Sequence, residues 1–152
     1  MQDEIREFGM GLGREAIARN WDGVRSLLAP WLRERTDTDA VRRFFEDEYR
    51  NTLAANGISE LHHPQHPEPE LDGNLHTNAT ELRKPISFQG GRVRPVPAEL
   101  TDENFRYWLM MRLPCSETQM ADLDFDFFAE VWMAVVQTDE GLRVGYWTQD
   151  AY

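Results

Sequence analysis

The sequence predicts an α+β domain whose N-terminal helices pack on a curved, mainly antiparallel β-sheet. Apolar residues recur every three or four positions through the first 57 residues, prolines crowd the middle of the chain, and beyond Lys84 the apolar period becomes two. Helices followed by strands read as an α+β arrangement. The 152 residues fit a single domain, 1–152, with a helical part at 1–57, a polar connector at 58–84 and an antiparallel sheet at 85–152. With 41% apolar and 11% aromatic content, a chain of this length buries a sizeable core.

Ile5, Phe8, Leu12 and Ala16 form one stripe of a first amphipathic helix from about Asp3 to Asn20, weakened in its middle by Gly11 and Gly13. Val24, Leu27, Leu28 and Trp31 repeat the helical spacing, and Pro30 limits how far that short second helix continues. A third helix starts near Thr38 or Asp39, where short polar side chains cap free N–H groups. It carries Val41, Phe44, Phe45, Tyr49 and Leu53 on one face and closes at Asn56-Gly57.

From Ile58 to Glu81 the apolar residues thin out, and Pro64, Pro67 and Pro69 forbid a continuous helix or central strand. A long surface connector follows, and long loops are places where sites occur. It holds His62, His63, His66 and His76, and imidazole is the commonest metal ligand. His62 and His66 have the spacing of two helical ligands, but Pro64 and Pro67 oppose that helix and no glutamate completes a zinc protease motif. The expectation is no metal, with His62, His63 and His66 as weak candidates.

Beyond Lys84, Ile86 to Phe88, Gly90-Gly91 and Arg92 to Val96 read as a hairpin, with Pro95 and Pro97 confining its second arm to a sheet edge. Phe105, Tyr107, Leu109, Met111 and Leu113 alternate with Arg106, Trp108, Met110 and Arg112, a strand that ends at Pro114. The last unit is a long hairpin, Phe127 to Gln137 and Leu142 to Thr148, around a turn at Thr138-Asp139-Glu140-Gly141.

If Gln137 pairs with Leu142, a regular ladder sets Val135 opposite Val144 and Met133 opposite Tyr146 on a core face. The other face then carries Val136 with Arg143, Ala134 with Gly145, Trp132 with Trp147, and Glu130 with Gln149. This face is half apolar and half polar; a sheet covered by helices on one side normally turns polar residues to water, so two tryptophans beside an Ala-Gly dip imply that it meets something. A protein interface or covering loops of the same chain are favoured over a small-molecule pocket. Trp132, Trp147, Arg143 and Trp108 are the candidate ligand or interface residues.

The chain has 16 Lys+Arg against 27 Asp+Glu, a formal charge of −11 and a pI near 4.7. Acidity with a single lysine argues against nucleic-acid and anionic-membrane partners. Cys115 is the only cysteine, which excludes an internal disulfide and fits a reducing cytoplasm. The acidic N-terminus does not read as a signal peptide. The longest apolar run, Val131 to Val136, is far short of the about 18 residues a spanning helix needs. Arginine in great excess over lysine reads as the codon bias of a GC-rich bacterial genome.

Other motifs fail on their own requirements. Asp122, Asp124 and Asp126 alternate like the first ligands of a calcium loop, but Phe127 and Met133 stand where that loop needs glycine and glutamate, so a charged strand edge is favoured. Gly11-Leu12-Gly13-Arg14 and Gln89-Gly90-Gly91-Arg92 lack the strand, third glycine or Lys-Ser/Thr of phosphate-binding loops, and no cofactor is expected. Cys115 is read as a packed hydrophobe rather than a nucleophile. Glu130 stands within an apolar strand, where burial would raise its pKa toward that of a general acid or base, but pairing with Arg106, Arg112 or Arg143 is the favoured reading.

Three N-terminal helices followed by an antiparallel sheet with a long final hairpin resemble the nuclear-transport-factor-2-like superfamily, a cone-shaped, cystatin-like α+β fold. The stretch Ala18-Arg19-Asn20-Trp21-Asp22-Gly23-Val24-Arg25-Ser26-Leu27-Leu28-Ala29-Pro30 is similar to the early segment of such domains, and Phe128-Ala129-Glu130-Val131-Trp132-Met133-Ala134-Val135-Val136 with Leu142-Arg143-Val144-Gly145-Tyr146-Trp147 resembles the final hairpin. The resemblance implies a sheet wrapped around a long helix, a pocket at the cone's open end and frequent homodimers through the outer sheet face. Family isomerases and dehydratases place an aspartate or histidine with a tyrosine inside the cone. No such residue transfers by motif; strand direction offers Glu130, Tyr107 and Tyr146.

The sequence therefore supports a soluble, cytoplasmic, bacterial, non-catalytic binding or interaction module, a homodimer through its sheet face, whose acidity also suits an antitoxin-like or immunity role against a basic target. The alternative is a binder of a small apolar ligand, or an isomerase or dehydratase, using a pocket in the cone.

Overall fold

The structure is a computed structural model that describes the chain except residues 56, 65, 74–77, 85–93, 115–127 and 150–152. Four helices precede the sheet: α1 (Asp3–Ile17), α2 (Trp21–Ser26), α3 (Pro30–Glu34) and α4 (Thr38–Ala54). They are followed by β1 (Glu70–Gly73), α5 (Ala79–Leu82), β2 (Phe105–Pro114), β3 (Phe128–Thr138) and β4 (Gly141–Thr148). The strands form one antiparallel sheet in the order β1-β2-β3-β4, and the molecule is an α+β fold. Among the described residues no helix is long and apolar enough to cross a membrane.

The first helix stops three residues earlier than its apolar spacing implies. Arg19 takes a positive φ of 58°, and the Arg19 and Asn20 N–H groups return to the Ala16 and Glu15 carbonyls, a Schellman closure built without glycine. Asn20 then caps α2, its Oδ1 accepting from the Gly23 N–H at 3.2 Å. The predicted second helix is two: Pro30 sits at the start of α3, where its fixed φ suits a first turn, so Trp31 leaves the stripe it shares on paper with Val24 and Leu27. The cap of α4 is Asp37, whose carboxylate accepts from the Ala40 N–H at 2.7 Å.

The helices cover one side of the sheet, the helix face. Ile5, Leu12, Phe44, Phe45 and Tyr49 pack there against Leu109, Met111, Val131, Met133, Val135 and Trp147. Burial of each such side chain is worth roughly 1.5–3 kcal/mol. Gly13 in α1 permits this approach: a Cβ there would stand 2.4 Å from Pro69 Cγ and 3.1 Å from Met111 Sδ.

The predicted surface connector carries two short elements. Glu70–Gly73 forms β1, pairing Leu71 with Met111 and Gly73 with Leu109, so the sheet begins before residue 85. Ala79–Leu82 forms the short helix α5, capped by Asn78, which accepts from the Glu81 N–H at 2.8 Å. Of the predicted hairpin near Gly90-Gly91, residues 86–93 lie outside the described residues, and Arg94, Pro95 and Val96 are not in a strand.

Two irregularities set which side chains share a face. Register shifts between Phe105 and Tyr107 in β2, so Phe105 joins Trp108 instead of continuing the Tyr107, Leu109 and Met111 row. In the final hairpin, Gln137 pairs with Leu142, Val136 with Arg143 and Val135 with Val144, as predicted. The register then slips by one: Ala134 pairs with Tyr146, Met133 with Trp147 and Trp132 with Thr148. Gly145 is the extra residue of a β-bulge. Its lack of a side chain is required, because a Cβ would stand 2.6 Å from Val136 Cγ1 and 3.0 Å from Leu100 Cδ1.

The outer edge of β4 is partly covered. Val144 exchanges backbone hydrogen bonds with Leu27 and Ala29, both 2.8 Å, and the Trp31 indole N–H donates to the Gly145 carbonyl at 2.9 Å. An edge strand is thereby shielded from adventitious pairing.

Candidate functional site: a cleft beside the edge strand

The bulge separates the two hairpin tryptophans. Trp147, expected opposite Trp132, instead turns to the helix face, 2% exposed, with its ring 4.3 Å from the Phe44 ring and nearly parallel to it at 7°. Tyr146, expected on the core face with Met133, lies on the opposite side with Trp132. A one-residue slip exchanges the faces of all later side chains, because strand periodicity is two.

The second side of the sheet, the loop face, is filled by the chain itself. Trp108 stacks on Trp132 at 5.8 Å and on Tyr146 at 6.2 Å, and Ala29, Ala79, Leu82 and Leu100 close over them. Trp108 is fully buried and Trp132 is 7% exposed. Covering segments of the same chain, one of the three occupants the sequence offered, occupy this face. Arg143 lies at its turn end, donating to the Leu142 carbonyl at 2.7 Å, with its Nε 3.9 Å from Glu140.

The three acid-base candidates do not converge. Glu130 is engaged on its own face by Arg112, whose Nε donates to Oε2 at 3.2 Å, and by the Trp132 indole N–H, which donates to Oε1 at 3.2 Å. Tyr107 packs toward the helix face, on the other side of the sheet. The Tyr146 hydroxyl donates to the Arg94 carbonyl at 2.6 Å, which ties down residue 94 rather than leaving a free phenol.

Glu130 takes the arginine partner that the sequence favoured, and a different carboxylic acid carries a raised pKa. Glu48 of α4 is largely buried, which pushes its carboxyl up to about 7; the nearby negative Glu130 carboxylate adds to the rise, while a hydrogen bond from the Glu130 backbone N–H opposes it. The sequence signal was present, since Glu48 follows Phe44 and Phe45 by four and three residues and so flanks the apolar stripe.

Two connector histidines are bound into the structure. His63 Nε2 lies 3.1 Å from Glu46 Oε2, and its ring meets Tyr49 edge-on at 5.7 Å. Arg42 donates to the other Glu46 oxygen at 2.6 Å. Although burial favours the neutral acid, the hydrogen bonds from His63 and Arg42 hold the Glu46 carboxyl below its usual value. His66 Nδ1 accepts from the Glu68 backbone N–H at 3.2 Å. Among the described residues, His62, His63 and His66 do not gather with other ligand types into a group of three. His76, Cys115, Asp122, Asp124 and Asp126 lie outside the described residues.

A cleft adjoins β4 past the segment that Leu28 and Trp31 cover. One arm, about 330 Å³, is lined by Leu32, Pro95, Val96 and Pro97 along with Tyr146. A second, about 220 Å³, is lined by Arg43, Ala40, Phe44 and Asp47 of α4. Both arms share Arg35, Thr36, Arg94 and Trp147, so an apolar and a polar compartment meet at two guanidinium groups. Arg94 lies over the Phe44 ring, 4.7 Å from its centroid, and Phe44 stacks on Trp147. In a chain of charge −11, three arginines and one aspartate lining a single cleft form a local positive exception.

Tyr146 and Trp147 are sequence-predicted site residues, whereas Arg35, Arg43 and Arg94, from the α3–α4 turn, α4 and the segment before β2, are not. No spacing rule joins residues so far apart in the chain. No family model, curated protein or solved structure matches this chain.

Proposed function

We propose that the chain is a non-catalytic binding module that holds a small ligand in the cleft between α3, α4, the 94–97 segment and β4. The observation that carries this reading is the two-compartment cleft itself, of a volume typical of small-molecule sites at its apolar end and lined by convergent arginines at the other. The resemblance to the nuclear-transport-factor-2-like superfamily agrees with helices preceding a four-stranded antiparallel sheet. Arginine usage and the single cysteine agree with a bacterial cytoplasmic setting.

The homodimer reading through the Trp132 face loses its support. Apolar patches mark interfaces when they are exposed, and among the described residues Met1 is the one exposed large hydrophobic side chain. The isomerase or dehydratase reading loses its convergent groups, because Glu130, Tyr107 and Tyr146 point to different partners.

The test is a thermal-shift screen of small apolar acids, alcohols and amides against the native chain and the Val96→Trp variant, which fills the apolar arm. Stabilisation of the native protein that is lost in the filled variant is expected. A response untouched by the filling would place binding elsewhere and refute the cleft.

A further inference from the structure

Resting on that reading, we infer that the cleft takes a small apolar monocarboxylate, with the carboxylate at Arg94 and the hydrocarbon body along Leu32, Val96 and Pro97. Most charges around the cleft are already matched: Arg35 meets Glu99 at 2.5 Å, Arg43 meets Asp39 at 3.3 Å, and Asp47 meets Arg50 at 3.7 Å. Among the described residues, Arg94 forms no ion pair, and its guanidinium is held over the Phe44 ring. A single uncompensated cation suits a single negative charge, which favours a carboxylate over a phosphate dianion.

The geometry of the guanidinium adds to this. A cation held against an aromatic face still has in-plane N–H donors, and these match the two oxygens of a carboxylate. The backbone of the same residue is anchored by the Tyr146 hydroxyl at 2.6 Å, so the side chain springs from a fixed point. On the far side of Arg94 the apolar arm offers Leu32, Pro95, Val96 and Pro97, a wall for methylene groups rather than for a second charge. Ligands with a charge at each end or with a polar body are therefore disfavoured.

The experiment is isothermal titration calorimetry with hexanoate, its neutral isostere hexanamide, and inorganic phosphate. The proteins are the native chain, Arg94→Gln, Arg94→Lys and, as a distant control, Arg14→Gln, whose partner Glu68 lies away from the cleft. Hexanoate is expected to bind at least tenfold tighter than hexanamide or phosphate. Arg94→Gln should remove that preference, Arg94→Lys should keep part of it, and Arg14→Gln should leave it intact. If hexanamide binds as tightly as hexanoate, or Arg94→Gln changes nothing, the carboxylate assignment is overturned while the cleft remains a binding site. If phosphate binds as tightly as hexanoate, the assignment is also overturned in favour of a more general anion site. If neither hexanoate nor any probe in the thermal-shift screen binds, the module reading falls and the assignment with it.

Discussion

The two faces of the sheet are both apolar and both buried, yet they are covered in different ways. The helix face meets α1, α2 and α4 through a continuous layer that includes Phe44, Phe45, Tyr49 and Trp147. The loop face is closed by Ala29, the one-turn helix α5 and Leu100, pieces too short to form a stable layer alone. Helices with their own backbone hydrogen bonds make a cover that opens only with the whole fold. A cover of short segments opens locally, and functional sites are drawn from such low-stability regions. The cleft lies where the two covers meet, between α3–α4 and the 94–97 segment.

The contrast is most directly broken by a pair of tryptophan truncations. Trp147→Ala on the helix face should cost about 4 kcal/mol in urea unfolding, at the upper range for aromatic truncation, because Phe44 loses its stacked partner. Trp132→Ala on the loop face should cost roughly 2–3 kcal/mol, since the covering segments can settle into the space. Equal or inverted costs would show that the two covers are energetically alike. Light scattering on Trp132→Ala should give the same mass as the native chain, whereas a native dimer that dissociates in the variant would restore the sheet-face interface.

A smaller effect comes from Glu48, where α4 crosses β3. Its folded-state pKa of about 7 lies above that of an exposed glutamate, so the folded state binds more protons. Its destabilising contribution is absent at low pH and grows as pH rises from about 4.5 through 7. Glu48→Gln should therefore stabilise the protein at pH 8 by about 2 kcal/mol and by little at pH 4. Denaturant midpoints at the two pH values check the sign, and a gain confined to low pH would reject the assignment.

The smallest effects sharpen the account of α1. Gly13→Ala should destabilise by roughly 1–2 kcal/mol, because the rigid Pro69 ring must move and this outweighs the gain in helix propensity. Gly11→Ala, with nothing within 4 Å of the new Cβ, should stabilise by about 0.5–1 kcal/mol. Thermal melts of the two variants should shift in opposite directions.

Much of the fold is legible in the sequence because its signals are local. The stripe of α4, the alternation through Leu109 to Leu113 and the turn at Asp139-Glu140 each follow from backbone periodicity and turn chemistry. The strand β1 escapes because Glu70-Leu71-Asp72-Gly73 has one strongly apolar residue and becomes a strand by pairing with β2. Arg94 escapes as a site residue because its partners, Phe44 and Tyr146, lie about fifty residues away on either side.

The α+β class, the helices that precede the sheet, the final hairpin with its Gln137 and Leu142 pairing and the net charge of −11 all follow from composition and local pattern. The tertiary structure decided which tryptophan faces which side. Around the bulge both phases of the alternation are apolar, Val144 and Tyr146 in one and Trp147 in the other, so hydrophobic pattern alone does not select a register. The choice falls to Gly145, whose missing side chain accommodates Val136 and Leu100 while its carbonyl accepts the Trp31 indole N–H. Those contacts exist only after the chain has folded, and through them a single inserted residue puts Trp147 in the helix core and Tyr146 on the loop-covered face.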